Sequence, residues 1–149
     1  MAVIDIARTS VVTAAPDATL TEVARRMHEE AVGSVVVVEA GAPVGCVTDR
    51  DLAMAVIDEG RDAAETAVGD VLPEDLVTVD ADAGVYDLFE LFSEQDVRRV
   101  PVVEDGDLAG IVSLSDLVVL LGMELQHLAT AVRSSAPAYE RPGPDYYRG

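Results

Sequence analysis

The sequence predicts an α+β protein, helices layered on sheets, made of two copies of one strand, helix, strand, strand, helix unit. Two observations carry this. The stretch Gly45-Cys46-Val47-Thr48-Asp49-Arg50-Asp51-Leu52 returns 65 residues later as Gly110-Ile111-Val112-Ser113-Leu114-Ser115-Asp116-Leu117, keeping glycine, hydroxyl, aspartate and leucine in register. The register also extends outward without a gap: Val3 falls on Val68, Asp5 on Asp70, Val12-Thr13 on Val77-Thr78, Val35 on Val100, and Val37-Val38-Glu39 on Val102-Val103-Glu104. Seventeen identities over the 55 positions from Val3 to Ile57, with no insertion, mark an internal repeat.

Within the first copy, Val3 to Ala7 reads as a leading turn and Ser10 to Thr13 as a short strand rich in branched residues, broken by Ala15-Pro16-Asp17. Thr19 stands three before Glu22 as a capping box. Leu20, Val23, Ala24, Met27 and Ala31 then recur at helical spacing, so a helix is expected from Leu20 to Ala31. Gly33 is expected to end it, being free to take positive φ just past a helix. Val35 to Val38 is a continuous branched run that suits a buried central strand. Ala40 to Pro43 turns the chain, Val44 to Thr48 returns as a strand, and Asp49 caps a helix from about Arg50 to Asp58.

Gly60 to Thr66 reads as a polar linker. The second copy then repeats the order. A strand spans Leu76 to Val79, a helix Val85 to Phe92 with Leu88, Phe89 and Phe92 inward, and strands Val100 to Val103 and Leu108 to Ser113 flank the turn from Glu104 to Asp107. The last helix begins near Ser115 and runs on through Leu120, Leu121, Met123, Leu125, Leu128 and Val132, so apolar that it needs a cover. The boundaries expected are repeat one at 3–59, linker at 60–67, repeat two at 68–122, a helical extension at 123–133 and, with three prolines and few aliphatics, a flexible tail at 134–149.

Each copy alone is too small for a stable core, so the two should pack on each other; half the 149 residues are hydrophobic and none is Trp, ample for an aliphatic interior. The formal charge is −18, and all ten basic residues are Arg. Such a surface repels phosphate backbones and anionic lipid, which argues against general nucleic-acid or membrane binding. It also repels itself, and screening by concentrated salt relieves that; a salt-rich cytoplasm is the expected setting, with an ordinary acidic protein as the alternative. One cysteine excludes an intrachain disulfide framework and a thiolate metal cluster. No run approaches the length of a membrane span, and the first residues lack a signal-peptide core.

The repeated motif places a hydroxyl three residues before a carboxylate at a strand-to-helix junction. A carboxylate accepts two hydrogen bonds and vicinal hydroxyls supply two donors, the arrangement that reads a ribose in dinucleotide sites. A helix N-terminus beside it favours an anion. Together these suit a ribonucleotide.

From about residue 3 to 122 the chain resembles a tandem pair of CBS domains, a Bateman module, here a stand-alone pair. Both Gly45 to Asp51 and Gly110 to Asp116 match the signature of glycine, apolar, any, Thr or Ser, two residues, Asp, and the unit matches the CBS βαββα order. The resemblance implies two repeats related by a pseudo-two-fold axis, dimerisation of flat modules into a homodimer, and regulation of an effector protein that the sequence leaves unnamed. It implies an adenosyl ligand, AMP, ADP, ATP or S-adenosylmethionine, with no further cofactor. By position, the ribose residues are Thr48 and Asp51 in one site, Ser113 and Asp116 in the other. The adenine residues are Val12, Thr13 and Ala14, and Val77, Thr78 and Val79. Phosphates are met by basic residues before the second strand of the opposite repeat, here Arg98 and Arg99, joined by Arg50 from inside the first motif. Repeat one has Gly33-Ser34 where repeat two has Arg98-Arg99. The first site is thus expected to hold a phosphorylated adenosine, and the second to be empty or to take a less anionic group.

His28 and His127 lie on separate helices without a sequence cue to a partner, and Cys46 replaces Ile111 of the other copy and reads as core. No residue carries a nucleophile signature and no Walker-type loop occurs, so neither a catalytic nor a metal site is expected. A regulatory, cytoplasmic, ligand-binding module is the first reading. A ligand-free dimeric interaction scaffold is the second, and an enzyme acting on nucleotides the third.

Overall fold

The computed structural model describes residues 1–135; residues 136–149 of the expected tail lie outside them. Contacts divide the chain into one unit from Met1 to Leu114 and another beginning at Ser115. In the first, β1 (Thr13–Ala14), α1 (Leu20–Glu29), β2 (Ser34–Glu39), β3 (Ala42–Thr48) and α2 (Asp49–Ile57) are followed by β4 (Val79–Asp80), α3 (Val85–Glu94), β5 (Arg99–Glu104) and β6 (Asp107–Ser113). The final helix, α4, spans Leu114–Ser135. Two three-stranded sheets result, ordered β1-β2-β3 and β4-β5-β6. In each the first strand runs parallel to the middle one and the third antiparallel. The valine run lies where expected: Val35, Val36 and Val37 sit in the middle strand without solvent exposure. The sheets meet where β3 packs on β5 and β6.

α1 opens on the expected capping box, with the Glu22 N–H donating to Thr19 Oγ1 at 3.2 Å and the Thr19 N–H to Glu22 Oε2 at 2.8 Å. It turns Leu20, Val23 and Met27 inward. Its end differs from expectation. The helix stops at Glu29 and the left-handed residue is Ala31, φ 53°, not Gly33. The N–H groups of Ala31 and Val32 donate to the His28 and Met27 carbonyls at 3.3 and 3.0 Å, the paired bonds of a Schellman end. Each hairpin turns on two residues of positive φ, Ala40-Gly41 and Asp105-Gly106, whose twist matches the flanking strands. The returning strands therefore start earlier than expected, at Ala42 and Asp107. In α3 Leu88 is fully buried, whereas Phe89 and Phe92 are only half-buried.

The first strands are shorter than the expected Ser10 to Thr13 and Leu76 to Val79, and they are offset by one residue between the repeats. Ala14 pairs with Val37 as Val79 pairs with Val102; repeat one adds the rung before it, Thr13 against Val36, with the Val36 N–H donating to the Val12 carbonyl at 3.1 Å, and repeat two the rung after it, Asp80 against Val103. Pro101 occupies the position of Val36 in repeat two. It has no N–H to give, so Leu76 to Thr78 stay outside the sheet.

The copies exchange their opening segments. The turn Val3–Asp5 bonds to repeat two: the Val3 N–H donates to Ala83 at 2.8 Å, Ile4 to Ala81 at 3.1 Å, and Arg8 and Ile111 exchange bonds of 2.9 and 3.0 Å. The turn Val68–Val71 bonds to repeat one, through Val68 to Ala18 at 2.8 Å and Gly69 to Pro16 at 2.9 Å. Val68 closes the core formed by Leu20, Val23, Val35, Val37, Val47 and Leu52, with Val71 and Leu72 packed against it. This explains the motif glycines. A Cβ on Gly45 would stand 2.6 Å from a Leu72 methyl, and one on Gly110 would stand 3.0 Å from the Arg8 carbonyl and 3.2 Å from the Ala7 Cβ. The polar linker is held by backbone bonds, with Thr66 donating to Asp62 and the α1 residue Thr21 donating to Ala63.

α4 presents Val118, Val119, Leu121, Met123, Leu125, Leu128 and Val132 to solvent. Among the described residues no helix is long and apolar enough to cross a membrane.

Candidate functional site

The first motif is the junction between β3 and α2. Thr48, not Asp49, is the N-cap, and the helix starts one residue earlier than expected because the hydroxyl and Asp51 close a capping box. Thr48 Oγ1 accepts the Asp51 N–H at 3.2 Å, while Asp51 Oδ2 accepts both the Thr48 N–H at 2.8 Å and the Thr48 hydroxyl at 2.9 Å. Both bonds to the carboxylate fall on Oδ2; Oδ1 takes neither. Asp49 turns back on the chain instead: its N–H donates to the Gly33 carbonyl at 3.1 Å and its Oδ1 accepts the Arg50 N–H at 2.8 Å. Two carboxylates in the first turn suit the positive end of the helix dipole.

A cation from the other repeat reaches this junction. Arg99 opens β5 opposite Ser113, and its Nη2 lies 3.8 Å from where a Cβ on Gly33 would stand, with Asp49 Oδ2 at 3.6 Å. Burial pushes the Cys46 thiol up from 9.0 to about 11; Arg99 opposes the rise and Asp51 adds to it. Cys46 is half-buried within β3, opposite Val36. Arg50 stands exposed in the first turn of α2. The Arg98 side chain is exposed and its carbonyl accepts the Leu114 N–H at 2.9 Å.

The residues expected around adenine divide. Ala14 and Val79 are 4% and 7% exposed, so their side chains belong to the core and they offer main chain at most. The Val12 carbonyl is taken by Val36, and the Thr13 carbonyl by the Arg26 guanidinium. Val77 and Thr78, outside the sheet, line a groove with Leu76 whose other wall is Asp87, Glu90, Leu91, Glu94 and Gln95 of α3. Ser113 ends β6 and Asp116 stands in the first turn of α4; each is half-buried. Among the described residues no three His, Cys, Asp or Glu gather as metal ligands. Sequence reasoning missed Gly33 and Asp49 as neighbours of Arg99; the pairing of Gly33-Ser34 with Arg98-Arg99 across the repeat is the signal that contained it.

The CBS domain family model matches residues 3–58 and 68–122, one match for each copy. The chain belongs to the CBS-domain family. This CBS pair is 36% identical over 116 residues to the uncharacterized protein MK0525 of Methanopyrus kandleri, covering 76% of this chain and 59% of that one, so it spans less than two thirds of that relative's length. The crystal structure of the CBS-domain containing protein ATU1752 from Agrobacterium tumefaciens is 34% identical, with a TM-score of 0.69, covering 80% of this chain and 98% of that one. The CBS domain pair of protein MJ0100, crystallised with 5-methylthioadenosine and S-adenosyl-L-methionine, shares the fold at a TM-score of 0.73 and 24% identity, covering 83% of this chain and 98% of that one.

Proposed function

We propose that this CBS pair is a regulatory, non-catalytic module of the cytoplasm that binds an adenosyl ligand, AMP, ADP, ATP or S-adenosylmethionine, at the Thr48–Asp51 junction. As a homodimer it passes occupancy to an effector protein. The observation that carries this reading is the Asp51 carboxylate. Its Oδ2 is held by Thr48 and its Oδ1 takes neither of those bonds, leaving that oxygen as acceptor for a ribose hydroxyl. Arg99 beside Gly33 supplies the positive charge that an anionic group needs in a chain of net charge −18. By position in the repeat, Ser113 and Asp116 are the second ribose pair.

The test is thermal unfolding of the full chain in molar KCl, alone and with each of the four ligands, on the wild type and on Asp51→Ala. A ligand at a hundred times its dissociation constant adds ~2.7 kcal/mol, and each ~1 kcal/mol moves the midpoint of a domain this size by about 2–4 °C. One ligand should raise the midpoint by several degrees in the wild type and leave Asp51→Ala unmoved. If none of the four moves a folded dimer, the ligand reading is wrong and the interaction-scaffold reading replaces it.

A further inference from the structure

Asp49 brings a second charge to the first junction, opposite in sign to Arg99. Its Oδ1 is tied to the Arg50 N–H at 2.8 Å and its own N–H to the Gly33 carbonyl at 3.1 Å, which leaves Oδ2 facing the space over Gly33. Arg99 closes the same space from the other repeat. Beyond Gly33 and its chain neighbours, the atoms nearest to the point where a Cβ would stand are Asp49 Oδ2 at 3.6 Å, Arg99 Nη2 at 3.8 Å and Asp49 Cγ at 4.0 Å. Glycine therefore leaves a gap bounded by one carboxylate and one guanidinium. Among the described residues the two side chains share no ion pair or hydrogen bond, so each keeps its charge for a third group. The counterpart of Asp49 is Leu114 and that of Arg99 is Ser34. The second junction has neither member of the pair.

Opposite charges facing one gap select between ligand tails. A phosphate drawn to Arg99 meets the Asp49 carboxylate at the same place, so repulsion offsets the attraction. An α-amino acid carries ammonium and carboxylate on one carbon: the carboxylate accepts from the guanidinium fork and the ammonium donates to the acid. Of the four adenosyl ligands, S-adenosylmethionine alone has such a tail. Its sulfonium also makes it a net cation, drawn to a chain of charge −18 that repels nucleotides. We propose that Asp49 is a specificity-determining residue that, with Arg99, seats the amino-acid end of S-adenosylmethionine over Gly33 and disfavours AMP, ADP and ATP. The selection rests on the adenosyl reading of Thr48 and Asp51 and narrows it to one ligand.

The experiment is calorimetric titration of the full chain in molar KCl with S-adenosylmethionine, S-adenosylhomocysteine, AMP and adenosine, on the wild type and on Asp49→Asn. The wild type should bind both amino-acid compounds about tenfold tighter than adenosine, as one charge-assisted bond provides, and AMP more weakly than either. Asparagine keeps an oxygen for the Arg50 N–H, so the variant's melt should stay cooperative. In it both amino-acid compounds should lose about tenfold, AMP should gain and adenosine should keep its affinity. S-adenosylhomocysteine has no sulfonium, so its loss assigns the effect to the amino-acid tail. AMP binding as tightly as S-adenosylmethionine in the wild type, or no loss of S-adenosylmethionine in Asp49→Asn, overturns the selection, while bound adenosine leaves the adenosyl reading standing. A wild type that binds none of the four overturns both.

Discussion

Asp51 holds Thr48 twice through one oxygen: the Thr48 N–H at 2.8 Å and its hydroxyl at 2.9 Å both donate to Oδ2. One carboxylate thus serves as helix cap and as proposed ribose acceptor, and the two roles can be separated. Asp51→Ala should lower the midpoint of the ligand-free protein by roughly the ~1 kcal/mol of a lost cap and abolish the ligand shift. Asp51→Asn keeps an oxygen for the Thr48 N–H, so the ligand-free melt should stay close to wild type while the ligand shift is lost. A full ligand shift in the Asn variant would show that the carboxylate does not hold the ligand.

Arg99 crosses from β5 to Gly33 and Asp49 of the other repeat. A charge-assisted hydrogen bond contributes about 1.5–3 kcal/mol, so Arg99→Ala should weaken a phosphorylated adenosine by about tenfold to a hundredfold. Adenosine itself, measured by the same calorimetric titration, should keep its affinity. An equal loss for adenosine would make Arg99 a support of the crevice and not a phosphate contact.

What could be read from the chain is what side-chain pattern encodes. The Val35 to Val38 run has no polar face, so a buried middle strand is its one outcome. Thr19 with Glu22 is a local exchange of bonds that needs no tertiary partner. The 65-residue register reports the repeated unit directly. What escaped is written in the backbone. The bonds from Val3 to Ala83 and from Val68 to Ala18 involve N–H and carbonyl groups that every residue carries, so no residue type announces that the opening segments trade places. Ala31 takes the left-handed turn that Gly33 is better suited to, because the Met27 and His28 carbonyls fix where the helix ends. At the junction, a hydroxyl three residues before an acid suits both a ribose site and a capping box, and the structure shows the capping-box geometry.

The exchanged segments make Gly45 and Leu72 a testable pair. Gly45→Ala places a Cβ 2.6 and 2.7 Å from the Leu72 methyls, overpacking that should cost about 1–3 kcal/mol in denaturant melts. Leu72→Ala in the same chain should recover part of this, with a coupling of about 0.5–3 kcal/mol between residues of different repeats. Strict additivity would mean that the Val68–Val71 segment does not lie on repeat one in solution.

Cys46 gives the fold a defined alkaline edge. Its thiol titrates at 9.0 unperturbed and at about 11 in the protein, so the fold prefers the neutral form. That preference is fully present below pH 9.0 and is lost as pH rises through about 11. The midpoint of the wild type minus that of Cys46→Val should be constant below pH 9.0 and fall between there and 11. Arg99→Ala removes the positive charge that opposes the shift, so alkylation of Cys46 by iodoacetamide should move to still higher pH. A thiol alkylated with an ordinary pH profile would contradict both its burial and the placement of Arg99.

Pro101 holds open the groove beside Leu76, Val77 and Thr78. Its counterpart Val36 donates to the Val12 carbonyl at 3.1 Å, and proline in the middle strand cannot reproduce that rung. Pro101→Val restores the donor. A backbone hydrogen bond contributes about 1 kcal/mol net, and losing proline's restraint on the unfolded chain costs about 0.4–1 kcal/mol. Stability should therefore barely change, and hydrogen exchange is the informative readout. The new amide at position 101 should be protected like that of Val36, β4 should start at Thr78, and the Val77 carbonyl should be engaged. Any ligand that meets Val77 through its main chain then loses that acceptor, while one seated at Thr48 and Asp51 is unaffected. An amide at 101 exchanging at the unprotected rate would mean that Leu76 to Thr78 stand away from β5 for a reason other than the missing donor.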